Sequence, residues 1–325
     1  MKTIAMLFAA LCLTSVAFAA DDLPAGAVAA LKAQNPGSGR LFDTVAFSPD
    51  GKVLAAGGYF PHAVHLYDAA SFRELRVLSG HTNGVRHVAF SPDSSRLASG
   101  AKDGTVRVWD VATGKEVWKV TADSDRVFAV MFSRDGSSLT SGGADGVLHR
   151  WEAATGREGA PWPSHEGRIR SLALSPNGTI LASGGNDSLI QLREAASGKV
   201  LHTCRGHGER VQTLQFAPNG KTLASAGAVD GSVRLWEVAS GKELRVWPKH
   251  EGGAFAIAFS PDGSRLATGS AEKLRLLDTA TGQELRVWPG QPGRINAVSF
   301  SPNGRLLASC GADTVVVWDI EKLAK

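Results

Sequence analysis

The sequence predicts an all-β chain built from seven copies of one four-stranded antiparallel unit. A turn written seven times, three short strand-like runs around each copy, and a second Gly-containing turn before a fourth run carry that prediction. The first turn begins at Phe47, Phe90, Phe132, Leu174, Phe216, Phe259 and Phe300, with spacings of 43, 42, 42, 42, 43 and 41 residues. Its pattern is an apolar residue, Ser or Ala, Pro or Arg, Asp or Asn, then Gly or Ser. Pro fixes φ at the first central position, Asp or Asn tolerates the second, and Gly takes the left-handed one, so each copy reverses the chain between two strands.

Residues 88–90 lead into the second copy of this turn and residues 97–99 leave it, and a further reversal brings the run 106–109. A turn at residues 112–115 then opens the run 116–120, after which the cycle restarts. All these runs are rich in β-branched and aromatic residues, and a period of about 42 residues marks a repeat architecture. Composition agrees: of 325 residues 43% are hydrophobic and 20% charged, and 37 are Gly, which suits a folded chain with many tight turns.

Within one copy, Gly80 and His81, the Ser91-Pro92-Asp93 turn, residues 97–100, Asp103 with Gly104, and Trp109 with Asp110 together resemble a WD repeat, and the pattern recurs across residues 38–319. The resemblance implies a closed seven-bladed β-propeller with four strands per blade. The Trp-Asp pair runs as Tyr67-Asp68, Trp109-Asp110, Trp151-Glu152, Arg193-Glu194, Trp236-Glu237, Leu277-Asp278 and Trp318-Asp319, so the fourth and sixth copies lack the aromatic. The histidine is present as His81, His165, His207 and His250, with Ser38, Asp123 and Gln291 at its place elsewhere. In the family a His, a Ser or Thr, an Asp and the Trp form a buried hydrogen-bond clamp. That set is complete here as His81, Ser99, Asp103, Trp109 and as His207, Ser225, Asp230, Trp236. A catalytic triad is the competing reading of such residues, but a set that repeats with the blade lacks the unique cleft catalysis needs.

After Trp318 seven residues remain, too few for a fourth strand, and an open blade would leave an unpaired edge. In the family a strand from the N-terminus closes the ring, and residues 25–36 lie where it belongs. Their alanines make a poor strand, and a short helix competes.

The first residues read as a secretory signal: Lys2, an apolar run over residues 4–16, and small residues at Ala17 and Ala19. Three regions are therefore expected: a signal peptide over residues 1–19, a lead with the closing strand over 20–37, and the propeller over 38–325. Localisation is expected to be periplasmic or secreted, without membrane insertion of the mature chain. A net charge of +4, or +3 without Lys2, gives no reason to expect a nucleic-acid partner. Cys204 and Cys310 lie in apolar runs of different copies and read as small buried hydrophobes without a disulfide.

No phosphate-binding loop, zinc pattern or paired-cysteine site occurs, and His62 with His65 lacks a third ligand, so neither a cofactor nor a metal is expected. Trp162, Trp247 and Trp288 stand at one equivalent position, either covering their own blades or offering an aromatic flank to a partner. By the resemblance, the channel entrance is ringed by Asp43, Arg86, Phe128, Arg170, Gln212, Phe255 and Asn296, with Arg126, Arg168, Arg210 and Arg294 two residues before four of them. Six arginines and two phenylalanines on one rim suit an acidic protein or peptide partner. Ordinary solvated arginines offset by Asp125, Glu166, Glu209 and Glu251 are the alternative. The expected function is a non-catalytic protein-interaction scaffold of the cell envelope. The alternative is a metal- or quinone-dependent propeller hydrolase or oxidoreductase acting at the channel mouth, and a third reading makes the chain one component of a larger assembly.

Overall fold

A computed structural model describes residues 23–24, 27–59, 61–247, 250–271, 273–289, 293–312 and 314–321 apart from 33–41. The region expected as a signal peptide lies outside the described residues. The described chain forms seven four-stranded antiparallel sheets, six of them pairing their strands in sequence order, with no α-helix. Blades 1 to 6 occupy residues 44–78, 85–121, 127–163, 169–204, 211–247 and 254–289, counted from the innermost strand outward. Blade 7 takes its three inner strands from residues 297–319 and its outer strand from Ala27–Lys32, which pairs antiparallel with Thr314–Asp319. The expected closing strand is thus formed over Ala27–Lys32, and these residues are strand rather than helix; the rest of 25–36 lies outside the described residues. Pairing satisfies the backbone groups of Thr314–Asp319, a requirement that overrides the weak strand preference of Ala27, Ala29 and Ala30.

Each repeated turn holds itself together. Ser48 Oγ donates to Asp50 Oδ1 at 2.6 Å and accepts the Val53 N–H at 2.9 Å, and the same pair of bonds recurs at Ser91, Ser133, Ser175, Ser260 and Ser301. The serine thus substitutes for a backbone partner inside the reversal.

The core is divided into seven apolar layers, each lying between two adjacent blades. Leu66, Leu78, Val85, Leu97 and Trp109 form the layer between blades 1 and 2, and Leu31, Phe42, Val45, Leu54 and Val315 the layer between blades 7 and 1. Five further layers complete the ring. Blades approach closely at a glycine near the end of the second strand: a Cβ on Gly100 would meet Val127 Cγ1 of the next blade at 2.6 Å. Asn296 Nδ2 donates to the Phe42 carbonyl at 2.9 Å across the last junction.

A polar staple joins the third strand to the fourth in four blades, and in blade 3 to Glu158, which lies just before the fourth strand. His65 with Glu74, Arg107 with Glu116, His149 with Glu158, Arg234 with Glu243, and Arg275 with Glu284 face each other, always nine residues apart. The spacing follows from antiparallel pairing around a turn of fixed length: Glu74, Glu116, Glu243 and Glu284 each stand opposite the residue two after their partner, which makes the two side chains diagonal neighbours on one face.

Candidate functional site: the channel mouth

The inner strands of blades 2 to 6 each carry a register shift at their second residue. The residues set out of register are Arg86, Phe128, Arg170, Gln212 and Phe255. Bulges of this kind re-aim a side chain away from the sheet face. Here they turn one residue per blade into a shared cavity of about 450 Å³ at the channel mouth, which Asp43, Arg294 and Asn296 also line. Seven-fold repetition therefore gathers residues separated by more than 250 positions in sequence.

The electrostatics of this ring are lopsided. Asp43, almost fully buried, holds Arg86 through a 2.8 Å bond to Nη1. Arg170 lies with its guanidinium carbon 4.5 Å from the Phe128 ring centroid, and Arg86 stands 5.7 Å from the same centroid. Asn186 Oδ1 accepts from Arg170 Nε at 2.8 Å, fixing the plane of the guanidinium. Arg126 and Arg168 share one carboxylate, Asp125, at 3.0 and 3.4 Å. Arg210 is half-buried, and its Nε has no acceptor. On the opposite side Arg294 lies 4.3 Å over the Phe255 ring, and its Nε donates to Asn296 Oδ1 at 2.8 Å. Burial, and then the charges of Arg210, Arg86, Arg168 and Arg126, push Arg170 down to about 10.

Phe128 and Phe255 are 5% and 8% exposed. They act as platforms under arginines, which leaves little of either ring open as an apolar anchor for a partner. Of the two readings of the tryptophans, burial favours cover of the blades over an aromatic flank: Trp247 and Trp288 are 2% and 1% exposed and pack between blades. Trp162 is half-buried with Arg150 4.4 Å over its ring. Cys204 and Cys310 are free and buried, and burial raises the Cys204 thiol to about 11.

Away from the mouth, His81 Nδ1 lies 3.0 Å from Asp103 Oδ2 and its Nε2 2.7 Å from Ser99 Oγ, which accepts the Trp109 indole N–H at 2.8 Å. With Nδ1 donating to the carboxylate, Nε2 accepts the serine proton, and the hydroxyl is used as both donor and acceptor. His207, Ser225, Asp230 and Trp236 repeat these contacts at 2.9, 2.7 and 2.8 Å. Sequence reasoning counted two clamps by requiring the tryptophan. His165 nevertheless contacts Asp187 at 2.9 Å and Ser183 at 2.8 Å without it. Asp123, at the histidine's place in blade 3, instead accepts the backbone N–H groups of Asp125, Arg126 and Asp145. Every serine of these sets is buried within its blade, so none is presented to a substrate.

The family description WD domain, G-beta repeat matches residues 72–110, 114–152, 198–237, 241–276 and 282–319. A second description, Anaphase-promoting complex subunit 4 WD40 domain, matches residues 151–209. These matches cover more than half of the chain, which therefore belongs to the WD40-repeat family of β-propellers. Among similar proteins is the target of rapamycin complex subunit wat1 of Schizosaccharomyces pombe, 48% identical over 62 residues, or 18% of this chain and 19% of that protein. A serine-threonine kinase receptor-associated protein of Dictyostelium discoideum is 42% identical over 59 residues, 18% of this chain and 20% of its own. The U3 small nucleolar RNA-associated protein 15 homolog of Xenopus tropicalis is 43% identical over 61 residues, 19% and 12%. The chain thus matches a fifth or less of the length of each.

These relatives are eukaryotic, and their names tie them to a target of rapamycin complex, a serine-threonine kinase receptor and small nucleolar RNA. They point away from a periplasmic or secreted protein. The expectation of export, and the cell-envelope setting that went with it, is corrected accordingly.

Proposed function

We propose that this propeller, spanning residues 38–325, is a non-catalytic protein-interaction scaffold that takes an acidic segment of a protein partner at the channel mouth. The observation that carries the reading is the arc of Arg86, Arg126, Arg168, Arg170 and Arg210 on four successive blades, contacted among the described residues by two carboxylates, Asp43 and Asp125. Guanidinium groups recognise carboxylates in a bidentate manner, and their combined field accelerates encounter with an acidic partner. A propeller hydrolase or oxidoreductase would need several carboxylates or histidines converging on the ring. The inner ring carries one carboxylate, Asp43, and it is tied to Arg86. The likeness to a complex subunit and to a receptor-associated protein favours the same reading.

The test is a combined variant in which Arg126, Arg168, Arg210 and Arg294 become Glu. Quantitative affinity capture from an extract of the source cells, at two salt concentrations, should lose the proteins that wild type retains at low salt. The melting temperature should stay within about 3 °C, because these four side chains are only partly buried and lie outside the apolar layers between blades. Capture that is equal for the two proteins, or insensitive to salt, would reject the rim as the binding surface.

A further inference from the structure

The charge at the mouth is not spread around the ring. Arg86 and Arg170 line the cavity, Arg126, Arg168 and Arg210 lie near enough on blades 3 to 5 for their charges to act on Arg170, and of the described carboxylates Asp43 and Asp125 contact this group of five arginines. Two donors in this group, Arg86 Nε and Arg210 Nε, are buried without an acceptor. Buried unsatisfied N–H groups are costly, and adding like charges beside them raises the cost. The site is also built. Arg170 is held on one side by Asn186 and on its face by Phe128, the ring of which carries Arg86 as well. Its position is therefore set before any ligand arrives.

We propose that the arc over blades 2 to 5 is a binding site for a doubly charged tetrahedral oxyanion, a phosphate group, with Arg170 as its anchor. This deepens the reading of the mouth as a binding surface and rests on it. A planar carboxylate is satisfied by one bidentate guanidinium and brings one charge. Arginines that approach from four blades offer donors from several directions, which suits an acceptor with oxygens pointing several ways and a charge near −2.

Isothermal titration at constant ionic strength, with inorganic phosphate and with acetate as probes, decides the matter. Wild type should bind phosphate at least about tenfold more tightly than acetate, and Arg170→Gln should weaken phosphate by about tenfold or more. Arg170→Lys keeps the charge and loses the fork, and should fall between the two. Arg150→Gln, which removes a guanidinium from the outer cleft beside Trp162, should leave phosphate binding unchanged. Acetate bound as well as phosphate, or phosphate binding indifferent to Arg170→Gln in a variant that melts like wild type, would overturn the proposal.

A phosphoserine peptide and its unphosphorylated form extend the measurement. Tighter binding of the phosphopeptide than of free phosphate assigns the anion to a modified partner, while equal binding assigns it to the free ion, and either result requires the site. Loss of discrimination between phosphate and acetate with partner capture intact would sink this inference alone. Normal phosphate binding with capture unaffected by the four Glu substitutions would sink the scaffold reading alone.

Discussion

Ser99 is one hydroxyl between two rings. It is fully buried, takes the Trp109 indole N–H and faces His81 Nε2, so its removal leaves both without a partner inside the blade. Ser99→Ala should therefore cost about 2–3 kcal/mol, more than the loss of an ordinary hydrogen bond, because unsatisfied buried groups bear their full desolvation penalty. Ser141, which also accepts an indole N–H, from Trp151 at 2.9 Å, stands in the copy that carries Asp123 at the histidine's place. Ser141→Ala should cost less. Urea melts of the two variants check the order, and equal losses would show that His81 adds nothing to the clamp. The clamp residues were legible because each sits at a fixed offset from a repeated turn. The part played by Asp123 was not, since capping backbone N–H groups leaves no periodic trace.

The staples between third and fourth strands raise a question of charge. His149 places Nε2 2.8 Å from Asp145 and Nδ1 2.8 Å from Glu158. Burial alone would lower its pKa, but the hydrogen bonds and charges of the two carboxylates outweigh it, and the net shift is upward from 6.5. A base with a raised folded pKa adds stability that is complete below its unfolded value and disappears as pH rises through the folded one. The stability difference between wild type and His149→Gln should be largest near pH 5.5 and shrink by about pH 8.5, measured by urea midpoints. A difference constant with pH would mean that the imidazole is not charged there. His207 runs the other way: burial lowers its pKa from 6.5, so its contribution is present above that value and falls as the solution is acidified.

The spacing of nine between staple partners was present in the sequence, and a search for repeated charge pairs would have found it. The bulges were not legible, because an extra residue in a strand is defined only by its partner strand. The channel ring could thus be placed by resemblance, while the reason its side chains turn inward required the pairing register.

At the scale of the whole molecule, seven similar layers share the stabilisation, and only the layers on either side of blade 7 include residues far apart in sequence. Ala30 packs with Trp288 and Trp318 on one side of the closing strand, and Leu31 with Phe42 and Val315 on the other. Deleting residues 27–32 removes this packing and bares the edge of Thr314–Asp319. The melting temperature should fall by about 10 °C or more, and an unchanged midpoint would show that the ring holds without its latch. That latch also sets a clock. A ribosome adds about 5–20 residues each second, so roughly a quarter of a minute to a minute separates the synthesis of Ala27–Lys32 from that of its partner. During that interval the first strand has nowhere to dock, and six blades can assemble before the circle shuts. Among the described strands, the pairing that shuts the circle joins the first made to the last.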